Sequence, residues 1–456
     1  MPGDPPASAL DSAVRKAYWR LAPILFLSYV IAYVDRVNVA FAKLTMSKDM
    51  PAFDNAVIGF GSGVFFLGYF LLEIPGTLLV EKWSARKWIS RIMISWGFVA
   101  AATAWVTTPN QFYLLRFLLG LAEAGFFPGV LVYLMHWFPQ KDRARAFAFF
   151  LIATPIAQVI SPTISNQLLK IGLTEVVNGV SVTHPLVLGL KGWQWVYIGW
   201  AIPAVILGIV VLAWLPDWPK DAKWLTSEER AALEAELARE AAARKQAGRH
   251  LSVLAALRQP RVLLLALAFF LVVTAQYGTE FFLPSLLERW YHLKLDTLAA
   301  LVIIPPIGAL AGQLFMAWSS DRTKERKLHT VLPIAIGAVA LALTPATLGT
   351  LWITMALLIV ARTGLKAYQP SFWTLPGLFL TGSNAAGSVG LINSIGNLGG
   401  FLGPYVLGTL DKATGSFSAG VYFLAGTMGL SAAIIFGLGL GGREKEPAAA
   451  DTRAAA

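Results

Sequence analysis

Twelve apolar stretches of about twenty residues recur from one end of this 456-residue chain to the other. Each is long enough to cross roughly 30 Å of hydrocarbon at about 1.5 Å per helical residue. They read as helices near 19–42, 56–80, 87–107, 111–137, 145–170 and 192–214, then near 260–287, 297–318, 329–347, 349–379, 385–410 and 417–440. Water cannot be the solvent for such a chain. Of its residues 56% are hydrophobic and 14% charged, against about 25% charged in soluble domains, and soluble cores stop growing near roughly 300 residues. Lipid remains, where a helix satisfies its own backbone and interior prolines such as Pro128, Pro162, Pro305 and Pro404 are tolerated. The fold class is an all-α membrane protein.

Charge divides the chain. Residues 1–18 form a polar tail with no cleavable signal peptide, 19–214 a first six-helix half, 215–259 a hydrophilic linker, 260–441 a second six-helix half and 442–456 a disordered tail. Within the linker, Thr226 and Glu229 form a capping box ahead of an amphipathic helix. The loops holding Lys82, Arg86 and Lys87, then Lys141, Arg143 and Arg145, then Arg322, Lys324, Arg326 and Lys327 are basic, which puts them, both termini and the linker in the cytoplasm. The halves repeat: Thr77-x-x-x-Glu81-Lys82-x-Ser84-Ala85-Arg86-Lys87 returns as Ala317-x-x-x-Asp321-Arg322-x-Lys324-Glu325-Arg326-Lys327, and Ser161-Pro162 as Gly403-Pro404. Two six-helix halves in parallel repeat are one transporter architecture, with substrate bound between them near the midplane.

Several functions fall away. Without Cys there is no disulfide or thiolate metal site, and five His lack metal-ligand spacing. The excess of Lys and Arg over Asp and Glu, 37 against 26, belongs to membrane loops rather than to nucleic-acid binding. No Ser/His/Asp set or attached soluble domain points to an enzyme or a sensor, and no cofactor is implied.

The acid–base pair followed by Arg-Lys after span 2 resembles the signature of the major facilitator superfamily. Within it, YVDRVNVAFA (33–42), RFLLGLAEAGFFPG (116–129), HWFPQKDRARA (136–146), DWPKDAKWLTSEER (217–230), SFWTLP (371–376) and GLINSIGNLGGFLGP (390–404) resemble the anion:cation symporter family, in order along nearly the whole chain. The resemblance implies the twelve-helix major facilitator fold, a monomer in a bacterial-type inner membrane, and proton-coupled uptake of a small organic anion by alternating access. Tartrate, phthalate, hexonates, hexuronates and hydroxyphenylacetate are cargoes of that family. An organic-anion exporter or exchanger of the same fold is the alternative.

Ionisable groups at membrane depth cost several kcal/mol and are functional candidates by default. Asp35 and Arg36 sit in span 1, Arg116 and Glu123 two turns apart in span 4. The resemblance implies that Arg36, with Arg116, binds the substrate carboxylate while Asp35 and Glu123 take up the proton. A guanidinium fork matches a carboxylate and stays charged. Competition between substrate and internal acid for the arginine would couple the two cargoes. The alternative is buried ion pairs that only fix packing.

Tyr33, Tyr69, Gln158, Ser371 and Asn393 are polar residues at mid-depth that would read substrate hydroxyls, or, for Gln158 and Asn393, bond helix to helix. Trp373 would stack on substrate or face lipid. Helix 10 departs from the family pattern with Arg362 and Lys366 on one face, which offer a second anion contact or a partner for Glu280 in span 7. Glu81, Lys82, Arg86, Asp321, Arg322 and Arg326 are expected to hold the inner gate. Glu73 reads as gating or packing and His136 as interfacial.

Overall fold

The computed structural model describes residues 9–177, 180–246, 259–378 and 383–440. The expected tail 442–456 and residues 247–258 of the linker fall outside these. Every expected span is helical. The first is α1 (Ala9–Val37) and α2 (Val39–Asp49), longer than 19–42 at both ends and turned at Asn38. Next come α3 (Asn55–Lys82), α4 (Ala85–Ala102), α5 (Pro109–Glu123) with α6 (Phe126–Met135), α7 (Gln140–Leu151) with α8 (Ala153–Leu169), and α9 (Gly192–Trp214). The linker holds α10 (Ser227–Gln246). The second half runs through α11 (Pro260–Tyr291), α12 (Leu295–Val302) with α13 (Ile304–Thr323), α14 (Lys327–Leu343), α15 (Leu351–Ala367) with α16 (Gln369–Phe372), α17 (Ser383–Asn397) with α18 (Gly399–Thr414), and α19 (Phe417–Gly437).

Among the described residues ten spans are long and apolar enough to cross a membrane. The stretches read at 87–107 and 385–410 are helical but fall outside those ten. Arg86, Lys87 and Arg91 interrupt the hydropathy of α4, and the second stretch is divided between α17 and α18. One element has no counterpart in the sequence reading: β1 (Thr174–Val177) and β2 (Val180–Thr183) pair antiparallel between α8 and α9, with Thr174 opposite Thr183. Asn178-Gly179 between β-branched runs carried that hairpin signal.

The chain packs as two compact units. Unit 1 comprises Met1–Gly248, Tyr277–Ile303 and Gly400–Gly420, and unit 2 comprises Arg249–Gln276, Ile304–Gly399 and Val421–Ala456. The grouping does not follow the two sequence halves, and hydrogen bonds and ion pairs join late segments to early ones within unit 1. Asp411 accepts from Asn55 Nδ2 at 2.8 Å and Arg289 Nη1 at 2.7 Å. Lys412 lies 2.8 Å from Asp54, and Asp296 accepts from Asn166 at 2.6 Å and Lys170 at 2.9 Å.

Small residues allow α3 and α5 to touch: a Cβ on Gly120 would stand 2.0 Å from the Phe65 carbonyl oxygen. At Gly125 the backbone turns left-handed (φ 83°), ending α5 and restarting as α6, a conformation glycine adopts without penalty. In the linker the capping box forms as read: Thr226 N donates to Glu229 at 2.9 Å and Glu229 N to Thr226 Oγ1 at 3.2 Å. Glu229 also accepts from Ser12 at 2.7 Å and Lys16 at 2.8 Å, and Glu240 from Arg143 at 3.0 Å, so α10 lies against α1 and α7. In unit 2, α15 packs on α13 and α14, and Ser431 Oγ donates to the Ala268 carbonyl at 2.7 Å, tying α19 to α11.

Candidate functional site

Helical spacing sets the charges of unit 1. Asp35 and Arg36 are adjacent on α1 and so point to different neighbours, while Arg116 and Glu123 stand two turns apart on α5. Arg36 reaches α5: its Nε donates to Glu123 Oε1 at 3.1 Å, and its Nη2 also contacts that oxygen. Its Nη1 donates to Tyr277 Oη at 3.4 Å. The guanidinium lies 5.4 Å from the Phe65 ring centroid and 5.1 Å from that of Tyr69. Arg36 retains some exposure, whereas Glu123 is buried.

Arg116 is placed differently. It is fully buried and donates to two carbonyls, Gly61 O from Nε at 3.4 Å and Arg36 O from Nη2 at 3.3 Å. Phe65 lies against it at 5.2 Å. Asp35 takes other hydrogen-bond partners. It accepts from Trp96 Nε1 at 3.0 Å and from Asn38 Nδ2 at 3.3 Å. Of the two acids and two arginines, Arg36 and Glu123 form an ion pair, while Asp35 accepts from the neutral donors Trp96 and Asn38.

A second polar group adjoins this one in the same unit. Gln158 Nε2 on α8 donates to Tyr33 Oη at 2.7 Å and to Glu280 Oε1 at 3.0 Å, and Tyr33 Oη donates to the same carboxylate. Glu280, which the sequence left open, thus gathers two residues chosen as hydroxyl readers. Tyr69 is buried beside Arg36. Tyr277 and Trp96 went unread. Tyr277 lies one turn before Glu280, the signal that could have found it; Trp96 resembles any core aromatic.

In unit 2 Arg362 is buried and Lys366 and Asn393 are half-buried. Trp373 packs against Phe269 at 4.9 Å and Phe372 at 5.3 Å. Ser371 is fully buried and donates to Ser320 Oγ at 3.0 Å, which also accepts from Arg326 Nη1 at 2.9 Å. Ser371 therefore meets the last turns of α13.

The residues expected to hold the inner gate fall at or near helix ends. Arg326 Nη1 lies 2.7 Å from Asp321, and Arg322 sits over Trp318 at 5.5 Å. Glu81 and Lys82 occupy the last turn of α3, and their side chains lie outside those described. The Arg86 amide donates to Asp217 at 2.9 Å, and Ser84 Oγ donates to both Asp217 oxygens at 2.9 and 2.7 Å. Asp217, the first residue of the DWPKDAKWLTSEER stretch, thus ties that stretch to the start of α4. Glu73 is buried, and His136 stacks on Trp218 at 4.1 Å. Among the described residues, no cluster of three or more His, Asp or Glu could hold a metal ion.

The model of the Major Facilitator Superfamily matches residues 25–404. This chain belongs to that superfamily. It is 41% identical over 442 residues to an Agrobacterium vitis protein named provisionally as a tartrate transporter, covering 97% of this chain and 94% of that one. It is 40% identical to a quinolone resistance transporter of Acinetobacter baumannii, over 93% of each, and 38% identical to the metabolite transport protein NicT of Pseudomonas putida, over 94% and 96%. Among solved structures, a bacterial homologue of the lysosomal transporter Spinster superposes with TM-score 0.70 at 16% identity, covering 93% of this chain and 97% of that one. The D-xylose–proton symporter gives 0.69 at 13%, over 92% and 97%. The major facilitator fold is shared, and the chain is a multi-pass secondary transporter rather than an enzyme.

Proposed function

We propose that the protein takes up a small organic anion together with protons, with both termini and the linker in the cytoplasm of a bacterial-type cell and the inner membrane as its site. The observation that carries the reading is Arg36: a guanidinium bound to a buried acid, Glu123, yet still partly exposed beside Tyr69 and Tyr277. Substrate carboxylate and Glu123 compete for that fork. Protonating Glu123 releases Arg36 to the substrate; deprotonation restores the ion pair and expels it. Asp35, held by Trp96 and Asn38, is the second proton carrier. Arg116, bound to backbone, supplies fixed positive charge behind Arg36.

Tyr33, Tyr69, Gln158 and Glu280 read hydroxyl groups, a set suited to a hydroxy acid, and the relative named for tartrate supports that choice. We carry Trp373, Asn393, Arg362 and Lys366 as further substrate contacts on their chemistry alone, the two cations favouring a dicarboxylate. The arrangement proposed is two six-helix halves, 19–214 and 260–441, working as a monomer. The test is uptake into proteoliposomes over a panel of organic acids with an imposed inward proton gradient, for wild type and Arg36→Ala. Accumulation of one acid, lost in the variant, names the substrate; uptake indifferent to Arg36 overturns the reading.

A second reading is export of an aromatic carboxylate, favoured by the quinolone resistance relative, since quinolones are carboxylic acids. Outward gradient-driven efflux of such an acid, without tartrate uptake, would select it.

A further inference from the structure

Lys43 has no place in the scheme above. It lies on α2, seven residues past Arg36, or roughly 10 Å along the span at about 1.5 Å per residue. The side chain is 2% exposed, and its Nζ has no hydrogen-bond partner among the described residues. Its Nζ stands 3.4 Å from the centroid of the Phe282 ring. A cation over an aromatic face gains about 2 kcal/mol when desolvated, which does not offset the burial of an unpaired ammonium.

Lys43 lines a cavity of about 450 Å³ within unit 1, whose walls include Lys48, Ser285, Glu288, Arg289 and Phe417. Lys48 pairs with Glu288 at 2.8 Å and Arg289 with Asp411 at 2.7 Å, which leaves Lys43 as the lysine of this cavity whose Nζ has no hydrogen-bond partner among the described residues. Exposure falls from the mouth inward: the Lys48 side chain is 67% exposed and that of Arg289 45%, while Lys43 is buried. Cations arranged in this way raise the local concentration of an anion and guide it inward.

We propose that this cavity is a second anion site, in which Lys43 takes one carboxylate of the transported anion before that anion reaches Arg36. The inference rests on the uptake reading. A lysine suits the task, because its ammonium is a compact, strongly hydrated point charge without the bidentate grip of a guanidinium. The site binds and hands on, and the tighter Arg36 fork retains. Phe282 and Phe417 cover the apolar part of the ligand.

Two measurements test the site. The first is tartrate uptake by proteoliposomes holding wild type, Lys43→Met or Lys43→Arg. The methionine variant is expected to raise KM roughly tenfold with Vmax within about twofold, equal to about 1.4 kcal/mol, and the arginine variant to restore KM. Unchanged KM, or loss of Vmax alone, overturns the proposal.

The second measurement is independent of the cargo and uses the absence of cysteine from the chain. With Ser285→Cys as the sole thiol, a sulfonate-bearing methanethiosulfonate is expected to react faster than its trimethylammonium counterpart. That preference should vanish when Lys43→Met is added, and tartrate should slow the reaction. No charge preference, or one that survives the loss of Lys43, refutes the anion site. A preference that depends on Lys43 but is slowed by chloride and not by tartrate would show an inorganic-anion site and refute the hand-on role. Failure of the uptake reading alone would appear as no gradient-driven accumulation with the reagent preference intact.

Discussion

Trp96 Nε1 donates to Asp35 Oδ2 at 3.0 Å, and both residues are buried. An indole can donate but never accept, so this bond favours the carboxylate over the acid without cancelling its charge. Asp35 is thereby separated in chemistry from Glu123, which faces a guanidinium one residue further along α1. The two acids therefore have different partners, Trp96 and Asn38 for Asp35 and Arg36 for Glu123.

Removing the indole donor while keeping an aromatic ring should move the pH dependence of transport. Trp96→Phe is expected to shift the pH at half-maximal uptake upward, because the anion loses a bond of about 1.5–3 kcal/mol. Asp35→Asn should abolish gradient-driven accumulation at least tenfold and leave counterflow exchange in place. Uptake at several pH values, with counterflow as control, checks both.

Glu123 holds Arg36 when no substrate does. Glu123→Gln should strengthen substrate binding several-fold at high pH and flatten its pH dependence, while Arg36→Lys, losing the planar fork, should weaken it by tenfold or more. Equilibrium binding in detergent between pH 5 and 8.5 measures each.

Outside the membrane, Glu229 ties the linker helix to α1. The hydrogen bond from Lys16, then those from Thr226 N and Ser12, hold its carboxyl down at about 2, against 4.5 for the free group. A depressed carboxylate stabilises the folded form above its ordinary value, and that contribution drains away as pH falls through the folded one. Docking of α10 should therefore be full above about pH 4.5 and weaken toward pH 2. Glu229→Gln should show the weakened state at neutral pH, as faster hydrogen exchange across 227–246.

Packing of α3 on α5 leaves no room at Gly120. Gly120→Leu puts side-chain atoms where the Phe65 carbonyl stands and should cost about 3 kcal/mol or more, seen as a lower unfolding temperature in detergent. Gly390, with nothing within 4 Å, should tolerate alanine.

The family, the helices and the choice of Arg36, Glu123, Asp35, Tyr33 and Gln158 as candidates were all legible in the residues. Hydropathy follows one-dimensional spacing, and a charge inside an apolar stretch declares itself wherever the chain folds. The Thr226–Glu229 cap was legible because it spans only three residues. Partners were not legible. That Arg36 meets Glu123 rather than Arg116 meeting Asp35, that Glu280 gathers Tyr33 and Gln158 from more than a hundred positions away, and that Ser371 meets Ser320 on α13 depend on which helix faces which. Lys43 escaped notice for the same reason: a lysine near the end of a span reads as a side chain that reaches water. Only tertiary packing buries its Nζ over Phe282 without a hydrogen-bond partner among the described residues. Spacing along a chain sets which groups a membrane must accommodate; the close approach of distant helices, in a medium too apolar to solvate them, decides how each is paired.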